Sequence, residues 1–414
     1  MRNTIQIISL SLITLLPTVA MAQTLRVPAE WENQEKVWLT WFGQERRDST
    51  SCRVMEALQP NVKLSLNVAS DSMKAVAIKY MANYKIDVSN IEFVLDEYID
   101  FYTRDYVFFV KGPEEKLLVV CFEYSAYGMY PDFYGIPMPE EESKFGKWDE
   151  RLAKKLNLPA ITSQFVFEGG GIESNGNGTL LIIKEMALQR NPQKTIPEIE
   201  EELKRTLGAR KIIWLSNGLI EDRLFPKFGP FYKNYFGGGA NMHVDELCRF
   251  VDETTVVLPY IALEETDKSP VDSLNFPMLE DNYQILKNAT TADGKKLKII
   301  RIPMPAIEQI KYSMTIKDSD YDRFKDFGFK IGDTVNLIPA ASYCNFFISN
   351  KVVLLQKYWE PGMSDVQRQK DEEANKIFKQ LFPDRQVLQI YSRTVNRGGG
   401  GIHCMTHELP VSRP

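Results

Sequence analysis

Short runs of consecutive apolar residues alternate along this chain with longer stretches in which apolar positions recur every three or four residues. Residues 37–41 (VWLTW), 117–123 (LLVVCFE), 179–183 (TLLII), 255–258 (TVVL) and 352–355 (VVLL) are continuous and β-rich, which predicts strands. Turn sequences such as NGNG and GPEE bound them. Each is followed by a helical stretch and a second apolar strand. The clearest helix spans 195–207: Thr195 and Glu198 form a capping-box pattern, Ile199, Leu203 and Leu207 share one face, and Gly208 suits the stop. The exit strands are IEFVLDE (91–97), QFVFEGG (164–170), KIIWLSN (211–217), LKIIRIPM (297–304) and QVLQIYS (386–392). Their uneven spacing excludes a strict solenoid and predicts five α/β units with variable insertions. No Pro/Ser-rich linker divides them, so a single domain over 23–414 is expected.

Polar motifs follow the exit strands: TRD at 103–105, EGGG at 168–171, HVDE at 243–246, SYCN at 342–345 and GGGGIHC at 398–404. Loops leaving a rigid scaffold commonly carry chemistry, and units arranged about a common axis would bring these five together. The four glycines 398–401 have no side chains to pack, so they mark a close approach of main chain to something.

Composition adds context. The 414 residues are 44% hydrophobic and 25% charged, which is ordinary for a globular protein. The net charge of -5, without a basic run, gives no electrostatic footprint for nucleic acid. Arg2, the uncharged apolar stretch 5–16 and Ala20-Met21-Ala22 read as a signal peptide over 1–22, cleaved near Ala22. An exported protein, periplasmic or extracellular, is therefore expected, with no membrane partner after cleavage; a homo-oligomer is compatible with the sequence. The chain has five cysteines, so at least one thiol is unpaired unless it bridges two chains. Cys121, Cys248 and Cys344 sit in apolar runs and read as inert, and Cys52 is uninformative. Cys404 alone lies among glycine and histidine.

A thiolate at Cys404 can attack electrophilic carbon, and His243 can serve as acid and base near neutral pH. If HVD is extended, His243 and Asp245 share a face; on the same basis His403 points away from Cys404, so His403 and His407 are expected in a supporting shell or at the surface. Glu168 can orient an imidazole or hold a cation. Carboxylates beside a thiol raise its pKa unless the substrate brings positive charge, and a guanidinium does so while matching paired carboxylates. His-x-Asp with His403-Cys404 also has metal-capable atoms, but no spacing of a known metal cluster appears.

VPAEWENQEKVWLTW, FYTRD, FEGGGIESNGNGTLL, HVDELCRFV, SYCNF and GGGGIHC, in this order, resemble the successive blocks of the agmatine deiminase and Porphyromonas-type peptidylarginine deiminase family, over nearly the whole mature chain. The resemblance implies a five-bladed, pseudo-fivefold α/β propeller and a hydrolase that needs no metal or organic cofactor. It implies Cys404 as nucleophile, His243 as general acid and base, Asp105 and Asp245 as guanidinium-binding carboxylates, and Glu168 supporting His243. Tyr102, Asn345, Gly169, Gly400 and Gly401 would line the substrate space. The expected substrate is a small-molecule or peptide guanidine, converted through a covalent thiouronium to ammonia and a ureido product. Three features depart from the family: Tyr102 stands where a tryptophan is usual, Val107-Phe108 replaces glycine-proline, and GGGANM precedes His243. Alternatives are free- or methyl-arginine hydrolysis, amidino transfer, or a secreted guanidine-binding protein or adhesin-like module without turnover.

Overall fold

The repeating unit is plainest between residues 179 and 215 of the computed structural model, which describes residues 25–224 and 228–412. The leader expected at 1–22 lies outside the described residues. Thr179–Ile183 is a buried strand. Thr195 then caps the helix Ile196–Leu207, and its own N–H donates to Glu198 at 2.8 Å. This reciprocal cap satisfies two donors that helix geometry leaves orphaned. Ile199, Leu203 and Leu207 are buried, and Gly208 ends the helix at φ 67°, a left-handed backbone that a β-carbon disfavours. Lys211–Leu215 returns parallel to the first strand. Parallel pairing requires a crossover, and the helix supplies it.

The unit recurs in five sheets. Leu117–Glu123 pairs with Ala160–Val166, Thr255–Tyr260 with Lys298–Pro303, and Val352–Lys357 with Gln386–Tyr391, always in parallel. The first sheet has one strand more than anticipated, Lys63–Val68, between Gln34–Thr40 and Ile91–Leu95. Each exit strand feeds a loop that ends in a short antiparallel strand of the next sheet: Phe108–Lys111, Ile172–Ser174, Arg249–Phe250, Phe347–Ser349 and His407–Pro410. The last of these pairs with Gln34–Thr40 and so joins the chain's end to its first sheet. This is the five-bladed α/β propeller with pseudo-fivefold symmetry. Central-strand residues such as Leu181, Val257 and Leu354 are buried, each stabilising the fold by about 1.5–3 kcal/mol.

A sixth sheet was not legible in the sequence. Tyr235–Gly238, Tyr312–Thr315 and Thr334–Pro339 form it from insertions in two inter-blade connections. It anchors the loops leading to His243 and Ser342. At Gly237 a β-carbon would fall 2.6 Å from the carbonyl oxygens of Glu221 and Arg223, so glycine permits this close approach.

All five cysteines are free and buried. Burial pushes the thiols of Cys121, Cys248 and Cys344 up, as expected of inert packing groups.

Candidate active site

Asp105 lies in the buried turn Thr103–Tyr106. Its Oδ1 accepts from the N–H of Gly170 at 2.9 Å, and its Oδ2 accepts from the Tyr127 hydroxyl at 3.1 Å. Gly170 is the hinge of the cluster. A β-carbon there would lie 2.6 Å from His243 Nδ1 and 3.0 Å from both Asp105 Oδ1 and Asp245 Oδ2. Three side chains from two loops therefore meet over one missing methyl. Gly169, expected at this place, instead faces away: its β-carbon would strike the Arg104 carbonyl oxygen at 2.0 Å. The turn beginning at the first glycine rotates successive residues to different sides.

His243 is buried, with Nδ1 3.7 Å from Asp105 and Nε2 3.6 Å from Glu168. Both distances exceed hydrogen-bond reach, and neither ring nitrogen has a partner. Burial alone would lower its pKa, but Asp105, Glu168 and Asp245 override it and hold it at about 9. Glu168 is itself held down at about 2: burial pushes it up, and Arg190 and His243 outweigh that. Arg190 Nε donates to both Glu168 oxygens at 2.8 and 3.1 Å, while the same guanidinium reaches the carbonyls of Ala240 and Asn241 at 3.2 Å. It thereby staples the EGGG loop to the segment before His243. Asp222, in the turn Ile220–Asp222, fastens the same segment, accepting from the N–H groups of Ala240 and His243 at 2.7 Å. Asn241 and Met242 are held there at φ 70° and 71°, a conformation costly for residues with β-carbons.

Asp245 does not sit on an extended segment, as expected, but in the tight turn Val244–Glu246. Its Oδ1 is buried without a partner. Its Oδ2 lies 3.5 Å from Cys404 Sγ and 2.7 Å from His403 Nδ1. The expectation that His403 points away from Cys404 is therefore corrected: residues 402–405 turn, and both side chains reach one carboxylate oxygen. His403 and His407 are both buried, so neither is at the surface. Burial raises Asp245 to about 7, with His243 opposing the rise and Asp105 adding to it. Burial and the acids Asp245, Glu246 and Asp105 push the Cys404 thiol well up.

Asn345 borders the sulfur, donating from Nδ2 to Sγ at 3.1 Å and accepting from the His403 N–H at 2.9 Å. A β-carbon at Gly400 would lie 2.8–2.9 Å from the Cys404 side chain and from Tyr102. One at Gly401 would strike Asn345 and Gln356 at 2.4 and 2.7 Å; Gly401 therefore backs Asn345 rather than facing the cluster. The glycine run is crowded by the protein's own side chains, not only by a ligand. Tyr102 donates to the Val395 carbonyl at 2.8 Å and packs behind Gly400, and the Tyr127 ring lies 5.7 Å from that of His243. Among the described residues no group of His, Cys, Asp or Glu is arranged to hold a metal ion.

The family model described as Porphyromonas-type peptidyl-arginine deiminase matches residues 26–410. The chain belongs to this deiminase family. As a member it is a hydrolase of C–N bonds in linear amidines. An agmatine deiminase of Pseudomonas fluorescens is 28% identical over 403 residues, covering 93% of this chain and 95% of that protein. Among solved structures, the agmatine deiminase of Enterococcus faecalis aligns with a TM-score of 0.72 at 24% identity, covering 94% of this chain and 97% of that one. That of C. jejuni aligns at 0.65 and 18% identity, covering 94% and 96%. These structures share the fold. In this deiminase-family chain Arg190, Asp222 and Tyr127 stand in no motif, and no pattern in the sequence marked them.

Proposed function

We propose that the chain is a cysteine-dependent deiminase that hydrolyses the guanidinium group of a small substrate, agmatine being the first to test. One arrangement carries this reading. The two open nitrogens of His243, the open Oδ1 of Asp245, the Asp105 carboxylate and the Cys404 thiol converge in one buried cluster. A planar cation held between Asp105 and Asp245 is matched in charge and in donor geometry. It also reverses the electrostatics at sulfur, because positive charge beside Cys404 offsets the acids that hold its proton.

The thiolate of Cys404 attacks the central guanidinium carbon, forming a C–S bond. The thiol proton has passed to water as the cation bound; His243, protonated at neutral pH, now gives its proton to the departing nitrogen of the tetrahedral adduct, the C–N bond breaks, ammonia leaves and a covalent thiouronium remains. The now neutral His243 takes a proton from water, which adds to the same carbon; the C–S bond breaks and a ureido product is released. Glu168 keeps the imidazole oriented, and Asn345 donates to the sulfur while it is negative.

The names of the curated relatives support agmatine, and the family's description supports peptidylarginine. The test is ammonia release from agmatine, free arginine and an arginine-containing peptide, with Cys404→Ala beside the wild type. Ammonia from one of the three, lost by at least about 10³-fold in the variant, is expected. No Cys404-dependent ammonia from any of them would overturn the reading. We further propose export with loss of residues 1–22; N-terminal sequencing of the mature protein should begin near Gln23, and an intact Met1 would refute it.

A further inference from the structure

The side chains that would handle a substrate are sealed from solvent: Asp105, Glu168, His243, Asp245, Asn345 and Cys404 are each at most 4% exposed. A guanidinium held among them must still trail its alkyl chain to the outside. One neighbour of the cluster reaches that way. Tyr127 is half-buried, yet its hydroxyl donates to Asp105 Oδ2 at 3.1 Å and its ring lies 5.7 Å from that of His243. The phenol therefore spans from solvent to the carboxylate on which a cation would be seated.

The loop that carries Tyr127 is built to present it. After the strand Leu117–Glu123, residues Ala126, Tyr127 and Gly128 follow at φ 49°, 59° and 79°, all left-handed. Only the last is glycine, so two residues with β-carbons are held in a conformation they disfavour. Ser125 fixes this turn: its Oγ accepts from the Gly128 N–H at 2.9 Å, and its carbonyl accepts from the N–H groups of Met129 and Tyr130 at 3.0 Å. From the segment before His243, Asn241 Nδ2 donates to the Tyr127 carbonyl at 2.8 Å and to Gln189 Oε1 at 2.8 Å. The turn is thus latched to the site at two points, the hydroxyl on Asp105 and the carbonyl on Asn241.

We propose that Tyr127 is the gate of the active site, its hydroxyl holding in the empty enzyme the Asp105 oxygen that a substrate N–H takes on binding. It rests on the reading of Asp105 as a guanidinium-binding carboxylate. Asp105 Oδ1 already accepts from the Gly170 N–H on the inner side, which leaves Oδ2, under the phenol, as the oxygen an entering cation meets. On binding, the O–H donor at Oδ2 is exchanged for an N–H donor, and the ring turns away from His243 to clear a path for the alkyl chain. No covalent bond changes; one hydrogen bond replaces another. The exchange sets a threshold for entry. A guanidinium exceeds it with its charge and paired donors, whereas a neutral amide offers Asp105 no more than the phenol it would displace. Tyr127 takes no part in the chemical step, so its mark falls on binding rather than on kcat.

Two variants separate the hydroxyl from the ring. Tyr127→Phe keeps the ring and removes its bond to Asp105. In Cys404→Ser protein, which binds without turnover, calorimetric Kd for butylguanidine should fall about three- to tenfold when Tyr127→Phe is added. With the thiol intact, KM should fall likewise while kcat stays within about twofold. A phenol that merely props Asp105 in place predicts the opposite sign, weaker binding and lower kcat; that result, or an unchanged Kd, would overturn the proposal. Tyr127→Ala removes the ring. Alkylation of Cys404 by neutral iodoacetamide, read by peptide mass spectrometry on the empty enzyme, should then quicken by about tenfold or more. Cys52, Cys121, Cys248 and Cys344 should stay unmodified in both proteins, which reports an intact fold. Equal alkylation of Cys404 with and without the ring would also overturn the gate. If butylguanidine binds neither protein, the guanidinium reading fails and the donor exchange with it; if it binds and its Kd does not fall, only the gate is lost.

Discussion

His243 and His407 are equally buried, yet the structure holds them in opposite charge states. The reaction cluster surrounds His243 with Asp105, Glu168 and Asp245, and its pKa stands at about 9. His407 lies near Arg104, and there burial and that guanidinium depress it to about 3, with Glu408 only partly opposing. Both rings have unpartnered nitrogens, and His407 stacks on Phe109 at 5.5 Å. Burial alone would have made both neutral. The sign of the neighbouring charge decides which imidazole works as an acid and which is packing.

The largest effect should come from removing the charged imidazole. His243→Gln is expected to lower kcat/KM by about 10³-fold, within the range for losing a general acid and base, and to lower the urea midpoint at neutral pH as the imidazolium's contribution is lost. A loss below about tenfold would deny His243 that role.

Arg190→Leu attacks what holds it. Glu168 would be left buried and unpaired, which costs about 3–5 kcal/mol, read as a lowered urea midpoint together with loss of activity. If Glu168 were incidental, stability would fall and the pH profile of kcat would keep its basic limb near 9.

Gly170→Ala separates geometry from charge. Its methyl would lie 2.6 Å from His243 Nδ1, and displacing the ring by a fraction of an ångström should reduce kcat/KM by about 10²-fold. The variant should remain folded, as judged by circular dichroism.

The pH dependence carries the comparison into the intact protein. Glu168 is depressed from 4.5 to about 2, so its contribution to stability is present above pH 4.5 and lost as pH falls toward 2. His243 is raised from 6.5 to about 9, so its contribution is full below 6.5 and lost as pH rises through 9. Activity that needs the imidazolium should decline over that same upper range. His407 has the opposite sign: held at about 3 against 6.5, it costs stability as pH falls below 6.5. The smallest effect is therefore His407→Phe, worth less than about 1.5 kcal/mol at pH 7. Its mark should be a flatter decline in stability between pH 6.5 and 3, and an unchanged slope would refute the assigned charge state.

Much of this was legible in the chain. Strand-length apolar runs and the Thr195–Glu198 cap depend on neighbours a few residues apart, and they appear where the periodicity placed them. The five motif loops do leave the five exit strands. The sixth sheet was hidden because its strands come from insertions far apart in sequence, paired only through the tertiary fold. Gly169 was singled out where Gly170 faces the cluster, because a run of identical residues carries no mark of which side each presents. His403 was assigned to the wrong side by assuming an extended chain where the backbone turns.

The sequence by itself determined which groups are present and in what order they leave the scaffold, since secondary structure and turn chemistry are local properties. Only the tertiary structure decided their states. Arg190 against Glu168, Asp222 at the His243 backbone and Asp245 beside Cys404 are 22, 21 and 159 residues from those partners. A buried charge answers to whatever lies within a few ångströms, and distance along the chain leaves no trace of that.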